Sequence, residues 1–122
     1  MDMKKNKDFK PWGFFEVLSE ENGYKVKKIV VHPGHRLSLQ RHKHRSEHWY
    51  IIKGNAVVTL DLKQITLSVG QSINIPAETW HRAENQDLNE MIFIEIQSGS
   101  YLGEDDIERC EDDYGRIDHD IR

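Results

Sequence analysis

An all-β fold, a barrel or sandwich of many short strands, is what this sequence predicts. Helical periodicity is nearly absent before residue 100. Short runs rich in β-branched and aromatic residues alternate instead with Gly, Pro, Asn and Asp, the composition of strands and turns. The even spacing of those runs points to a closed or two-layered sheet. In order they fall at 13–18, 24–31, 36–42, 47–53, 55–60, 64–67, 72–75, 80–84 and 90–97. Turns are marked by "ENG" (21–23), "HPG" (32–34), "KGN" (53–55), "DLK" (61–63), "SVGQ" (68–71) and "NQDLN" (85–89). The last run, "MIFIEIQ", alternates cleanly: Ile92, Ile94 and Ile96 share one face, and Met91, Phe93, Glu95 and Gln97 the other.

Beyond "QSGSYLG" the chain changes character. "EDDIERC" puts acids in what would be the first turn of a helix, where they suit the helix dipole. A short C-terminal helix followed by an extended acidic tail is therefore expected. With 122 residues and no internal repeat or linker, residues 1–122 read as one domain.

The net charge of −4 comes from 17 basic and 21 acidic residues, so no basic excess argues for nucleic acid or an anionic membrane surface. The acidic surplus sits mostly in "GEDDIERCEDDYGRIDHD", which leaves the remainder compatible with an anionic substrate. Cys110 is the single cysteine and cannot form an intrachain disulfide, in keeping with a reducing compartment. "MDMKKNKDFK" has no apolar stretch behind it, as a secretory signal would. No run approaches the ~18–20 apolar residues of a membrane helix. A cytoplasmic protein without membrane or nucleic-acid partners is expected.

Chemistry concentrates in "LSLQRHKHRSEHWYIIKG", residues 37–54, which gathers Gln40, His42, His44, Glu47 and His48. The spacing runs Gly34, five residues, Gln40, one, His42, four, Glu47, six, Gly54. A second block runs Gly70, five residues, Pro76, two residues, then Thr79, Trp80, His81, three residues, Asn85. Together the two blocks resemble the paired motifs of the cupin superfamily, with Gln40 replacing a histidine and Glu78 a glycine. The resemblance implies a double-stranded β-helix, or jelly-roll, barrel. It also implies a divalent metal held by Gln40, His42, Glu47 and His81.

Strand alternation agrees with that register. Arg36, Ser38, Gln40 and His42 fall on one face, a turn through Lys43 to Ser46 reverses the chain, and Glu47, Trp49 and Ile51 share a face on the return. Two imidazoles, a carboxylate and an amide oxygen suit Zn²⁺ first, with Mn²⁺, Co²⁺ or Fe²⁺ also compatible. Pairing His42 with His44 instead leaves the spacing to Glu47 one residue short. His44 is expected at the barrel mouth as an acid or base, and Arg45 exposed at the hairpin tip. His48 alternates with Glu47 and faces away, while His32, His35 and His119 read as solvated.

Four longer stretches narrow the resemblance: "PWGFFEVL", "YKVKKIVVHPGHRLSLQRHKHRSEHW", "INIPAETWHRAEN" and "IEIQSGSYLGEDDIERCEDDYGR". Over roughly residues 10 to 116 they resemble the phosphomannose isomerase domain of the type II family. In that family the domain usually ends a longer enzyme carrying a mannose-1-phosphate guanylyltransferase domain. No Gly-rich nucleotide-binding signature precedes it here, so nucleotide transfer is not expected. The resemblance implies metal-dependent interconversion of mannose 6-phosphate and fructose 6-phosphate. That reaction needs a base, for which His44, Glu95 and Glu84 are candidates, His44 first. It also needs cations for phosphate: Arg36, which shares the face of Gln40 and His42, then Arg116 and Lys27. Tyr101 and its "SGSYLG" loop are expected to pack over the barrel and help line the site.

Two other readings fit the same ligands, an Fe(II)-dependent cupin oxygenase and a non-catalytic sugar-binding cupin. Gln40 argues against the first, since oxygenase sites favour histidine there. A homodimer formed through sheet edges is expected, because exposed edges need covering.

Overall fold

The computed structural model describes residues 7–116 as two antiparallel sheets with no helix among them. The strands are β1 (Lys7–Lys10), β2 (Gly13–Glu21), β3 (Tyr24–Val31), β4 (Leu39–Arg41), β5 (Arg45–Lys53) and β6 (Ala56–Leu60). They continue with β7 (Lys63–Leu67), β8 (Ser72–Ile75), β9 (His81–Glu84), β10 (Met91–Gly99) and β11 (Glu108–Glu111). One sheet has the order β1-β2-β3-β10-β5-β8 and the other β11-β4-β9-β6-β7. Nine of these strands match the runs expected from sequence; β1 and β11 were not anticipated.

Between the sheets lies an apolar core that includes Phe15, Ile29, Val31, Trp49, Ile51, Val58, Ile75, Met91 and Phe93. Trp49 and Phe93 are fully buried, with ring centroids 4.6 Å apart. Side chains of this size contribute on the order of 1.5–3 kcal/mol each when buried.

The interior is graded. On β3 the inward row reads Val31, Ile29, Lys27, Lys25; on β10 it reads Met91, Phe93, Glu95, Gln97; on β5 it reads Ile51, Trp49, Glu47, Arg45. The register sets Phe93 beside Ile29 and Ile51, Glu95 beside Lys27 and Trp49, and Gln97 beside Lys25 and Glu47. Strands β3 and β10 therefore switch from apolar to charged at the Lys27–Glu95 pair, and β5 switches one inward pair later, where Glu47 faces Gln97. That makes one end of the barrel a packed core and the other a polar cavity.

The expected C-terminal helix is absent, and residues 108–111 form β11, paired with β4. The acids that would have capped a helix are taken by distant partners. Glu104 accepts from Lys27 Nζ at 2.6 Å and Lys25 Nζ at 3.3 Å, and Asp106 accepts from the backbone N–H groups of Lys43 and His44, each at 2.9 Å. Residues 100–116 thus run as a strap across the open end of the barrel. His119 and the end of the acidic tail lie outside the described residues.

Candidate metal centre

His42, Glu47 and His81 come together at the polar end, with one donor atom of each within 4.8 Å of the others. They reach it from three places: the end of β4, the inward row of β5, and the start of β9. His42 Nε2 lies 3.2 Å from Glu47 Oε2, and His81 Nε2 lies 3.7 Å from Glu47 Oε1. All three side chains are buried. Gln40 stands beside them, its Cα in register with that of His81, and its amide Nε2 donates to Ser38 Oγ at 3.1 Å. That bond orients the amide and leaves its oxygen as the donor to offer.

The surroundings of each ligand fit a cation. His42 Nδ1 donates to the carbonyl of Asp106 at 2.7 Å, and His81 Nδ1 to the carbonyl of Thr79 at 2.8 Å. Both rings therefore hold a proton on Nδ1 and turn Nε2 toward the carboxylate, the arrangement a metal-binding imidazole needs. Two nitrogen lone pairs and a carboxylate converging on one buried point repel one another unless a positive charge sits among them. The donor set thus fits a borderline divalent ion.

Electrostatics reinforce this. Burial pushes the His42 imidazole down to about 4, so it is neutral near pH 7. Burial alone would raise Glu47, but the charges of His81, His42 and Arg45 outweigh it and bring the carboxyl to about 2. Arg45 is the permanently charged member of that group. Its Nε and Nη2 lie 2.9 and 2.8 Å from Glu47 Oε2, and Trp49 Nε1 donates to Oε1 at 2.9 Å.

Around the cluster is a cavity of about 140 Å³ that also takes in Lys27, Arg45, Glu95, Glu104, Arg109 and Arg116. Glu95 is buried there, accepting from Gln97 Nε2 at 2.6 Å. Burial and the neighbouring Glu47 charge push its carboxyl up to about 8.

The other expected site residues sit as follows. Arg116 lines the cavity from the strap, its guanidinium bonded to Asp112 at 2.8 and 3.0 Å. His44 is exposed and outside the cavity, edge-on to Tyr101, with its backbone N–H bonded to Asp106. Tyr101 is exposed and bonds to Asp105 within the same loop. Arg36 forms a two-pronged pair with Asp113 at 2.8 and 2.9 Å on the barrel exterior, so it lies apart from the cluster. Glu84 also lies outside the cavity, bridged through its backbone to Arg36. His48 is bonded to Asn74 on the outer face.

Arg45, like Arg36 and His44, lies elsewhere than the sequence predicts. It is 6% exposed rather than at a solvated tip. The strand begins two residues earlier than expected, so the inward parity of Glu47 and Trp49 extends back to Arg45. Continuing the alternation one step would have found it.

Residues 2–112 match the family model described as mannose-6-phosphate isomerase C-terminal. The chain belongs to that family. Its relatives include the alginate biosynthesis protein AlgA of Pseudomonas aeruginosa, 50% identical over 108 residues, covering 88% of this chain and 22% of the relative. The xanthan biosynthesis protein XanB of Xanthomonas campestris is 46% identical over 110 residues, covering 90% and 24%. A mannose-1-phosphate guanylyltransferase of Escherichia coli is 46% identical over 108 residues, covering 88% and 23%. This cupin chain spans less than a quarter of the length of those curated relatives.

Among solved structures, a conserved protein with a double-stranded β-helix domain from Klebsiella pneumoniae superposes with a TM-score of 0.74. It is 19% identical and matches over 91% of this chain and 96% of that one. KdgF from Halomonas sp. gives a TM-score of 0.71 at 18% identity, over 75% and 84%. These likenesses establish the cupin fold. No helix of the described residues is long and apolar enough to cross a membrane.

Proposed function

We propose that this chain is a metal-dependent isomerase interconverting mannose 6-phosphate and fructose 6-phosphate. The observation that carries the reading is the placement of one buried carboxylate, Glu95, in the same cavity as the Gln40, His42, Glu47 and His81 cluster, with cations on the cavity wall. The family description and the mannose-related relative support the substrate class.

The reaction moves a proton between C1 and C2 of an open-chain sugar. Gln40, His42, Glu47 and His81 would hold the divalent ion, which when bound supplies Lewis-acid polarisation of the sugar carbonyl. Glu95 is the base of this reading: it takes the proton from one carbon and returns it to the next. A carboxyl poised near neutrality suits a group that must both accept and donate. Glu95 takes precedence over His44 and Glu84 because it alone of the three lines the cavity. Lys27 and Arg116, both on the cavity wall, would meet the phosphate in this reading. Arg45 helps to hold Glu47 ionised and adds positive charge where negative charge develops on the substrate.

The test is a coupled assay for fructose 6-phosphate on protein loaded in turn with Zn²⁺, Mn²⁺, Co²⁺ and Fe²⁺. Turnover of mannose 6-phosphate with at least one metal is expected. Folded, metal-loaded protein that turns over none of it would refute the isomerase. Oxygen uptake under Fe²⁺ would favour the oxygenase instead.

A further inference from the structure

We propose that Asp106, on the strap that crosses the barrel mouth, is a positioning residue that sets the tautomer and orientation of His42 and so couples the strap to the metal centre. The inference goes beyond the isomerase reading. It rests on that reading only in taking His42 as a metal ligand.

Three bonds converge on Asp106, all from the turn between β4 and β5. Its backbone carbonyl accepts from His42 Nδ1 at 2.7 Å. Its carboxylate accepts through Oδ1 from the Lys43 N–H and through Oδ2 from the His44 N–H, each at 2.9 Å. The carboxylate is the anchor: it fixes the strap to the turn so that the adjacent carbonyl meets the imidazole. A proton held on Nδ1 leaves Nε2 as the lone pair facing Glu47, and Arg45 Nη2 donates to that same Nε2 at 3.2 Å. Both ring nitrogens are therefore consistent with one tautomer.

Neighbouring features hold the clamp in place. Gly99 passes so close to the turn that a Cβ there would lie 2.0 Å from the His44 carbonyl oxygen, and the Ser100 N–H donates to that oxygen at 3.2 Å. On the far side, the Asp106 N–H donates to the Gly103 carbonyl at 3.1 Å, and Tyr101 bonds to Asp105 across Gly103. Residues 99–106 thus wrap the turn from both sides, which accounts for the compact "GSYLGEDD" stretch. A partner that orients a ligating histidine typically contributes ~10–100-fold to metal affinity.

The experiment uses the full chain, with Asp106→Ala as the variant and Asp113→Ala as the control. Asp113 tethers the same strap to Arg36 and does not touch His42. Two readouts are taken: the His42 tautomer by long-range imidazole ¹H–¹⁵N correlation on metal-free protein, and Co²⁺ affinity by chelator competition with the visible spectrum. The parent is expected to show an Nδ1 proton on His42. Asp106→Ala should lose that protected proton, weaken Co²⁺ binding ~10–100-fold and alter the Co²⁺ spectrum, while Asp113→Ala matches the parent. A parent His42 protonated on Nε2 overturns the proposal, and so does an Asp106→Ala chain that keeps the parent tautomer and binds Co²⁺ within about two-fold. The parent tautomer decides even if the variant does not fold. A parent that shows the Nδ1 proton yet holds no Co²⁺ sinks the metal reading and leaves the positioning role standing.

Discussion

Glu95→Gln tests the electrostatics of the cavity without disturbing its packing, because the amide matches the carboxyl in shape and keeps an acceptor for Gln97 Nε2. In the metal-free chain Glu95 has its pKa raised from 4.5 to about 8, by burial first and then by the Glu47 charge. Between those values the folded state holds a proton that the unfolded state has released, so stability falls as pH rises toward 8. His42 works the other way. Burial lowers it from 6.5 to about 4, so over that range the unfolded state holds the extra proton and stability rises with pH.

Each proton of difference changes stability by ~1.4 kcal/mol per pH unit. From pH 4.5 to 6.5 the two groups oppose each other and the parent curve is nearly flat. Above 6.5 only Glu95 still titrates, and the parent loses ~2 kcal/mol by pH 8. Glu95→Gln removes that fall and uncovers the His42 contribution, a rise of ~3 kcal/mol between pH 4 and 6.5. Urea unfolding of chelator-dialysed protein, followed by tryptophan fluorescence at several pH values, measures both curves. A parent equally stable at pH 6.5 and 8, or a variant that falls as steeply as the parent, would refute the raised carboxyl. In the isomerase assay the same variant should keep its metal and lose at least ~100-fold in turnover, the usual contribution of a proton-transferring side chain.

Five further substitutions probe the ligand set and the backbone around it. Glu47→Ala and His81→Ala should each abolish Co²⁺ retention in chelator competition, whereas His48→Ala should leave it intact, since His48 is bonded to Asn74 on the outer face. Glu78 stands where the cupin motif has glycine and is held at φ 65°, so Glu78→Gly should relieve ~1 kcal/mol of backbone strain. It should raise the thermal midpoint by ~4 °C. Gly99→Ala should do the reverse: its Cβ would meet the His44 carbonyl oxygen at 2.0 Å and Arg45 Cα at 2.8 Å, both backbone atoms that cannot swing aside. A loss of ~3 kcal/mol or more is expected, read as a lower urea midpoint.

What could be read from the chain alone, and what could not, follows from how far each contact reaches. "YKVKKIVV", "RSEHWYII" and "MIFIEIQ" each carry an apolar-to-charged switch on one parity, visible by alternation within a single strand. That the three switches fall within one inward pair of each other depends on the pairing of β10 with β3 and β5, a long-range register that no local pattern encodes. His42, Glu47 and His81 were legible because motif spacing stands in for that register. Arg36 was not, since its parity matches Gln40 but its partner Asp113 lies 77 residues away.

The acids at 104–106 show the difference most clearly. By the local rule they are a helix start, and nothing within ten residues contradicts it. In the fold each has its own partner: Glu104 the buried Lys25 and Lys27, Asp105 the Tyr101 hydroxyl, Asp106 the turn below. A helix would fan the three side chains about 100° apart around its axis, and could not deliver all three to those partners at once. Two buried lysines without Glu104 would cost far more than the few tenths of a kcal/mol that an acid gains at a helix N-terminus. The strap is therefore extended because the barrel beneath it holds buried positive charge and an uncapped turn, and its own sequence has no say in either.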